Sequence, residues 1–289
     1  MNLMKNTIIT APCNELKEFE SLFIEMTAKN CNLKCKHCYI DFKENKKVKD
    51  YIPIDKVKQA LSILKVENIK FIHLSGAEPM LHPDFNSILR LCLKYASVVI
   101  HTNGMNINDK KARFLRKVEE ENNMGNEIIF RISIDHYIEQ KNDELRGRGS
   151  FRKSIHAIQS LNKYYFNPIL SIVNYWNENP KDLISNFKLL CKNIDFETDN
   201  INYSIIPYID KSSYVNCEYD DTDCLKKLDC AKSRTLSNLG VYSCLLLSGD
   251  HRGRCGSSFD DYSKKNYLET QACSQCIKSK KNMFTFDWN

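Results

Sequence analysis

Alternation of apolar, strand-like runs with amphipathic helical stretches constrains this chain more than any other feature. The strand-like runs fall at 22–27, 69–74, 98–101, 128–134, 169–173 and 201–206. Asp55 is placed to cap a helix whose apolar face is Val57, Ala60, Leu61 and Leu64, at i, i+3, i+4, i+7. Pro83 takes a first-turn position before Phe85, Ile88, Leu89 and Leu93, and Asp109 starts a helix carrying Ala112, Leu115 and Val118. Ser150 caps a helix bearing Ile155, Ile158 and Leu161, and Asn179-Pro180 opens another with Leu183, Phe187, Leu190 and Ile194. Strands separated by whole helices cannot pair as hairpins. They make a parallel sheet with right-handed crossovers, and in such α/β folds function gathers at the C-terminal strand ends.

The loop after the first of these strands carries Cys31, Cys35 and Cys38 at C-x3-C-x2-C spacing. Three thiolates grip one face of an iron–sulfur cubane but are one ligand short of its four irons, so one iron stays open, as the free position of a catalytic metal does. Zinc held by Cys35, His37 and Cys38 is the alternative, since zinc accepts thiolate and imidazole.

The triad followed by Tyr39, just after an apolar strand, resembles the signature of the radical S-adenosylmethionine (SAM) enzymes. Further landmarks keep the order of that family: Ser75-Gly76-Ala77-Glu78-Pro79 resembles its Gly-Gly-Glu-Pro motif, with Ala77 in place of the second glycine. Thr102-Asn103-Gly104 follows the third strand, Arg131-Ile132-Ser133-Ile134-Asp135 resembles the fourth, and Arg146-Gly147-Arg148-Gly149-Ser150-Phe151 opens the next helix. The likeness spans about residues 20 to 210. It implies an open, partial (β/α)6 TIM-like barrel over residues 21–212, preceded by a 1–20 extension. It also implies a 4Fe–4S cluster on the three cysteines, with SAM chelating the open iron. His37 would pack near adenine. The backbone at Ser75, Gly76, Ala77 and Glu78 would receive the methionine amino group, with Gly76 allowing close approach and Glu78 as an acceptor. Thr102 and Asn103 would reach the ribose, although Thr102 and Ser133 read equally well as turn and strand polar residues. Ser133 and Arg146 would meet the carboxylate, with Arg148 and Arg152 as rivals on the same segment. Asn174 would be an adenine or ribose contact. The chemistry implied is reductive cleavage of SAM to a 5′-deoxyadenosyl radical and hydrogen abstraction from an organic substrate, with a flavodoxin- or ferredoxin-type electron donor.

Composition changes after the sixth strand, where seven of the 13 cysteines lie between Cys217 and Cys276. Cys230, Gly240, Cys244 and the Cys273-x2-Cys276 pair resemble the C-terminal iron–sulfur extensions of the family, called SPASM and, in shortened form, twitch. No cysteine follows Cys276, so the single-cluster form fits residues 213–289, with Cys230, Cys244, Cys273 and Cys276 ligating one auxiliary 4Fe–4S cluster. Four thiolates close such a site, which suits electron transfer. Zinc could staple the same cysteines, Cys255 could replace Cys244, and Cys217 with Cys224 could serve a second auxiliary cluster. Cys92 and Cys191 lie on apolar helix faces and read as core.

The resemblance thus implies an enzyme acting on a small molecule, with net two-electron oxidation if the auxiliary cluster accepts an electron. Peptide-modifying members with a leader-recognition domain need more than the roughly 20 residues before the first strand. Epimerisation, crosslinking or thioether formation on a ribosomally made peptide is the alternative. An iron–sulfur carrier or zinc-stapled binding module is the non-enzyme alternative. Tyr208, Asp210 and Glu25 are weak candidates for proton handling in the barrel. Net charge is +6, and the lysine-rich stretches at 43–49 and 278–281 read as solvated faces, so no nucleic acid is expected. No apolar run approaches the ~20 residues that span a bilayer. Clustered cysteines of this kind belong to the reducing cytoplasm.

Overall fold

A computed structural model describes residues 11–42, 51–196, 202–208 and 225–279. Asp210, Cys217 and Cys224 lie outside the described residues, as does the 212/213 boundary. Six parallel strands form the barrel wall: β2 (Ser21–Thr27), β3 (Phe71–Gly76), β4 (Ser97–Thr102), β5 (Ile128–Ser133), β6 (Ile169–Asn174) and β7 (Tyr203–Pro207). The helices α1 (Ile54–Ile63), α2 (Phe85–Cys92), α3 (Asp109–Glu120), α4 (Glu139–Arg146), α5 (Ser150–Lys163) and α6 (Pro180–Asn193) connect them. Strand β2 is buried at all its positions, as a strand covered on both faces must be. The apolar faces read from the sequence converge in one core, where Val57, Leu89, Leu115, Leu161 and Phe187 meet the strand residues Leu22, Ile24, Ile72 and Ile100. Cys92 and Cys191 are buried in it.

The starts of several elements differ from expectation. Strand β3 begins at Phe71, because Lys70 and Phe71 both donate their backbone N–H to Glu20 O before the ladder opens. Asp55 sits in the first turn of α1 behind Pro53, and Pro83 precedes the cap Asp84 of α2. Asn108 caps α3, accepting from Lys111 N at 2.9 Å. Gly149, at φ +80°, takes the cap position of α5, which leaves Ser150 as the first helical residue with its hydroxyl donating to Asp143 at 3.0 Å. Asn179 and Pro180 open α6 as expected, the Asn179 side chain accepting from Lys181 N.

The sheet does not stop at six strands. Strands β8 (Ser233–Ser237), β9 (Gly240–Tyr242) and β10 (Arg254–Gly256) extend it, with β8 parallel to β2, in the order β10-β9-β8-β2-β3-β4-β5-β6-β7. The cysteine-rich segment is therefore hydrogen-bonded to the barrel through its first strands. A separate two-stranded ribbon pairs β1 (Cys13–Glu15) with β11 (Lys265–Tyr267), and α7 (Gln271–Ser279) ends the described chain. A second apolar cluster gathers Leu225, Leu228, Leu247, Leu268 and Ile277 around Cys230 and Cys273. Among the described residues no helix is long and apolar enough to cross a membrane.

Candidate active site

Parallel strands bring their C-terminal ends to one rim, and there the loop 28–38 and the turns after β3 to β7 enclose a cavity of about 580 Å³. Cys31, Cys35 and Cys38 line it, together with Arg146, Ser133, Ile206 and Tyr208. Burial pushes the Cys31 thiol up and the Cys35 thiol to about 11. Such thiols ionise only against a compensating cation, which coordinated iron supplies.

The loop is held in place by polar contacts with the ends of β3, β4 and α4. Asn103 Nδ2 lies 2.8 Å from Asn32 Oδ1 and 3.7 Å from Cys31 Sγ, while its own Oδ1 accepts from Met105 N at 2.9 Å. Leu33 N donates to Cys31 Sγ at 3.3 Å, and Cys35 Sγ lies 3.9 Å from Arg146 O. Tyr39 donates to Gly76 O at 3.2 Å. Gly76 is required here by geometry: its φ is +115°, and a Cβ would sit 2.4 Å from Thr27 O. The close approach that the glycine permits is thus between β3 and the end of β2, just before the cysteine loop.

Glu78 is fully buried and accepts from Thr102 Oγ1 at 2.7 Å, Asn103 N at 2.9 Å and Met80 N at 3.2 Å. Its carboxylate and the Thr102 hydroxyl thereby tie the end of β3 to the end of β4. The side chain of Asn174 is engaged elsewhere, with Nδ2 donating to Glu178 O at 2.7 Å and Oδ1 accepting from Glu178 N at 2.9 Å. Glu25 is buried and accepts from Ser248 Oγ at 2.6 Å, which joins β2 to the segment after β9. Tyr208 packs against Tyr175 with ring centroids 4.7 Å apart.

Asp135, named in the fourth-strand motif but given no role by sequence reasoning, is the hub of the site. Its Oδ2 faces Arg146 Nη1 at 2.8 Å and His37 Nε2 at 3.2 Å, and its Oδ1 accepts from Val173 N at 2.9 Å. Burial opposes ionisation of Asp135, but Arg146, His37 and these hydrogen bonds outweigh it and hold the carboxyl below its usual range. His37 is no exposed loop residue: its side chain is 7% exposed. Burial lowers its pKa against the pull of Asp135. Arg148 is exposed and Arg152 pairs with Glu139 at 2.8 Å, which leaves Arg146 as the arginine of this segment that lines the cavity.

Two observations test whether a cluster and SAM fit. Three half-buried thiols from one loop form an incomplete cubane ligand set, and lining the same cavity the buried Arg146 Nε has no hydrogen-bond partner. A carboxylate satisfies such a guanidinium edge. The residues present therefore fit both groups. A single-ion site would draw its ligands to within about 2.0–2.3 Å of one centre. Among the described residues no three His, Cys, Asp or Glu side chains are so disposed.

The C-terminal cysteines meet in a second pocket. Cys230, Cys244, Cys273 and Cys276 line it together with Leu228, Leu247 and Leu268. Burial raises all four thiols, Cys230 to about 11. Cys255 packs instead into the main core, its Sγ 3.7 Å from Gly253 O. Sequence reasoning missed Asn14, whose Nδ2 lies 3.1 Å from Cys230 Sγ across 216 positions of chain.

A family model for the Radical SAM superfamily matches residues 27–190. The antilisterial bacteriocin subtilosin biosynthesis protein AlbA of Bacillus subtilis is 28% identical over 162 residues, covering 55% of this chain and 34% of that protein. This chain thus spans about a third of that relative's length. The S-adenosylmethionine-dependent nucleotide dehydratase RSAD2 of Danio rerio is 26% identical over 267 residues, 88% of this chain and 60% of that protein. Streptococcus suis SuiB bound to its precursor peptide SuiA shares the fold, at TM-score 0.63 and 16% identity over 86% of this chain and 64% of that one. The partial TIM-like barrel, the cysteine loop at its rim and the superfamily match coincide on the same residues, and the chain belongs to the radical SAM superfamily.

Proposed function

We propose that this protein is a radical SAM enzyme whose barrel cavity holds a 4Fe–4S cluster on Cys31, Cys35 and Cys38, SAM beside it, and an organic substrate on the far side. The observation that carries the reading is the meeting of three half-buried thiols and the unsatisfied Arg146 Nε in one cavity. When bound, the cluster and SAM supply a 5′-deoxyadenosyl radical that takes hydrogen from an unactivated carbon. The protein's part is positioning. Arg146, braced by Asp135, presents its guanidinium to a carboxylate. Asn103 fixes the cysteine loop, and Glu78 with Thr102 keeps the two strand ends beneath it in register. His37 is held by Asp135 as a wall of the same cavity.

His101, Arg131 and Ser171 also line the cavity and support a substrate with polar or anionic groups. We assign the electron to a flavodoxin- or ferredoxin-type donor. The Cys230, Cys244, Cys273 and Cys276 pocket is read as a closed auxiliary 4Fe–4S site able to take an electron from a substrate radical. Small molecules are the first substrate class; the nucleotide named for the Danio rerio relative belongs to it. Ribosomal peptides are the second, supported by the bacteriocin named for AlbA.

Anaerobic reconstitution tests the reading. About eight irons per chain and release of 5′-deoxyadenosine after reduction with SAM are expected. Bound zinc without SAM cleavage overturns it. A mass change on a co-expressed precursor peptide would select the second substrate class.

A further inference from the structure

The ribbon β1–β11 has a buried face of an unusual kind. Each of its strands is three residues long with only the central side chain buried, and the two central residues, Asn14 and Asn266, are partners across the ladder. They are 5% and 6% exposed. A ribbon this small ordinarily covers an apolar surface with apolar residues, and two buried amides call for polar partners.

The cysteine pocket lies on their side. Asn14 Nδ2 is 3.1 Å from Cys230 Sγ and 3.1 Å from Leu225 O, and its Oδ1 accepts from Glu15 N at 3.0 Å, so the amide orientation is fixed by a donor and an acceptor. Asn266 lines the pocket itself, and its buried Oδ1 has no hydrogen-bond partner. The oxygen and nitrogen of an asparagine exchange places by a half-turn of the amide. A cluster offers only acceptors, its sulfides and thiolates, and the half-turn puts the donor Nδ2 where the unpartnered Oδ1 stands. A third donor comes from the start of α7, where Thr270 Oγ1 lies 3.2 Å from Cys273 Sγ while accepting from Cys273 N at 3.2 Å.

We propose that Asn14, Asn266 and Thr270 are positioning residues that set the reduction potential of the auxiliary 4Fe–4S site by donating hydrogen bonds to its sulfurs. The inference rests on the four-thiolate reading above. On reduction the cluster takes one electron from the reductant and gains one negative charge; no bond to the protein forms or breaks. Donors aimed at sulfur stabilise the more negative state, so they raise the potential. The amide-bearing ribbon thereby makes the site easier to fill with an electron, which suits an acceptor.

The test is a potentiometric titration of the full-length reconstituted protein with dithionite, followed by electron paramagnetic resonance. The auxiliary signal is the one that SAM addition leaves unchanged. Asn14→Leu, Asn266→Leu and Thr270→Val should each move its midpoint in the negative direction. In the double variant N14L/N266L the reduced-to-oxidised ratio at the wild-type midpoint should fall about tenfold, or about 59 mV for a one-electron couple. The SAM-responsive signal should stay in place. A role confined to structure would lower the melting temperature and leave the midpoint unmoved. Iron near eight per chain with unmoved midpoints overturns the proposal alone. Should Asn14→Leu lose iron, N266L and T270V decide on the same readout. Iron near four in the unsubstituted chain, with no second reducible centre, overturns the four-thiolate reading and this inference with it.

Discussion

Asp135 serves three partners with two oxygens, and that economy makes it the most sensitive side chain of the site. Arg146 and His37 share one oxygen and the Val173 N–H takes the other, all out of water. Removing one member of a buried ion pair strands the other charge, at a cost of about 3–5 kcal/mol. Asp135→Asn should therefore lose stability of that order in urea unfolding; an unchanged midpoint would show that the Arg146 charge is solvated some other way. The motif spelled out Asp135 without revealing this role, because its partners His37 and Arg146 lie far apart in sequence and meet only through the fold. The same limit applies to Glu78, Thr102 and Asn174. Their places at strand ends were legible, but spacing does not show that Glu78 and Thr102 bond each other or that Asn174 holds the backbone of Glu178.

Among elements, those with a strong period were legible and those without it were not. The helix bearing Leu183, Phe187 and Cys191 announces its buried face. Helix α4, reading Glu-Gln-Lys-Asn-Asp-Glu-Leu-Arg, buries Asn142, Leu145 and Arg146 and shows no apolar stripe. Strands β8 to β10 are three to five residues long, and β8 reads Ser-Arg-Thr-Leu-Ser, so neither alternation nor length marks them. Two predictions belong to this scale. At Gly76 an alanine adds strain of roughly 1–3 kcal/mol at its positive φ, and its Cβ would collide with Thr27 O. Gly76→Ala should accordingly lower the unfolding midpoint and the iron retained on reconstitution, and normal values for both would overturn this account of the turn. Strands β3 and β4 also carry His73 and His101, whose facing nitrogens are 2.9 Å apart. Burial pushes His73 down to about 3 and His101 well below its usual value. In the folded state both stay neutral while the unfolded chain takes up protons below about pH 6.5, so stability is lost as pH falls from there. The loss approaches about 1.4 kcal/mol per pH unit for each histidine. Urea midpoints at pH 7.5, 6.5 and 5.5 measure it, and a His101→Phe chain should show a shallower slope.

For the whole molecule, the decisive fact is that β2 is an interior strand, flanked by β3 and β8. The cysteine-rich segment thus closes an edge of the barrel sheet, besides gathering its own thiols. A chain ending after residue 208 would expose the β2 edge and leave Glu25 buried without Ser248. It should aggregate or bind a hydrophobic dye. Cys273→Ser with Cys276→Ser, by contrast, should keep the near-ultraviolet circular dichroism of the barrel while iron falls from about eight to about four per chain. If the truncated chain were monomeric and cooperative in unfolding, β8 would be an ornament on a self-sufficient barrel.

The pairing of β8 with β2 also imposes a schedule on synthesis. The strand that leads into the Cys31 loop leaves the ribosome roughly 200 residues before its partner. At 5–20 residues per second that is a wait of about 10–40 s. The ribbon that joins Asn14 to Asn266 waits longer still. Throughout that interval an edge strand and three thiols meet the cell before the fold can shelter them.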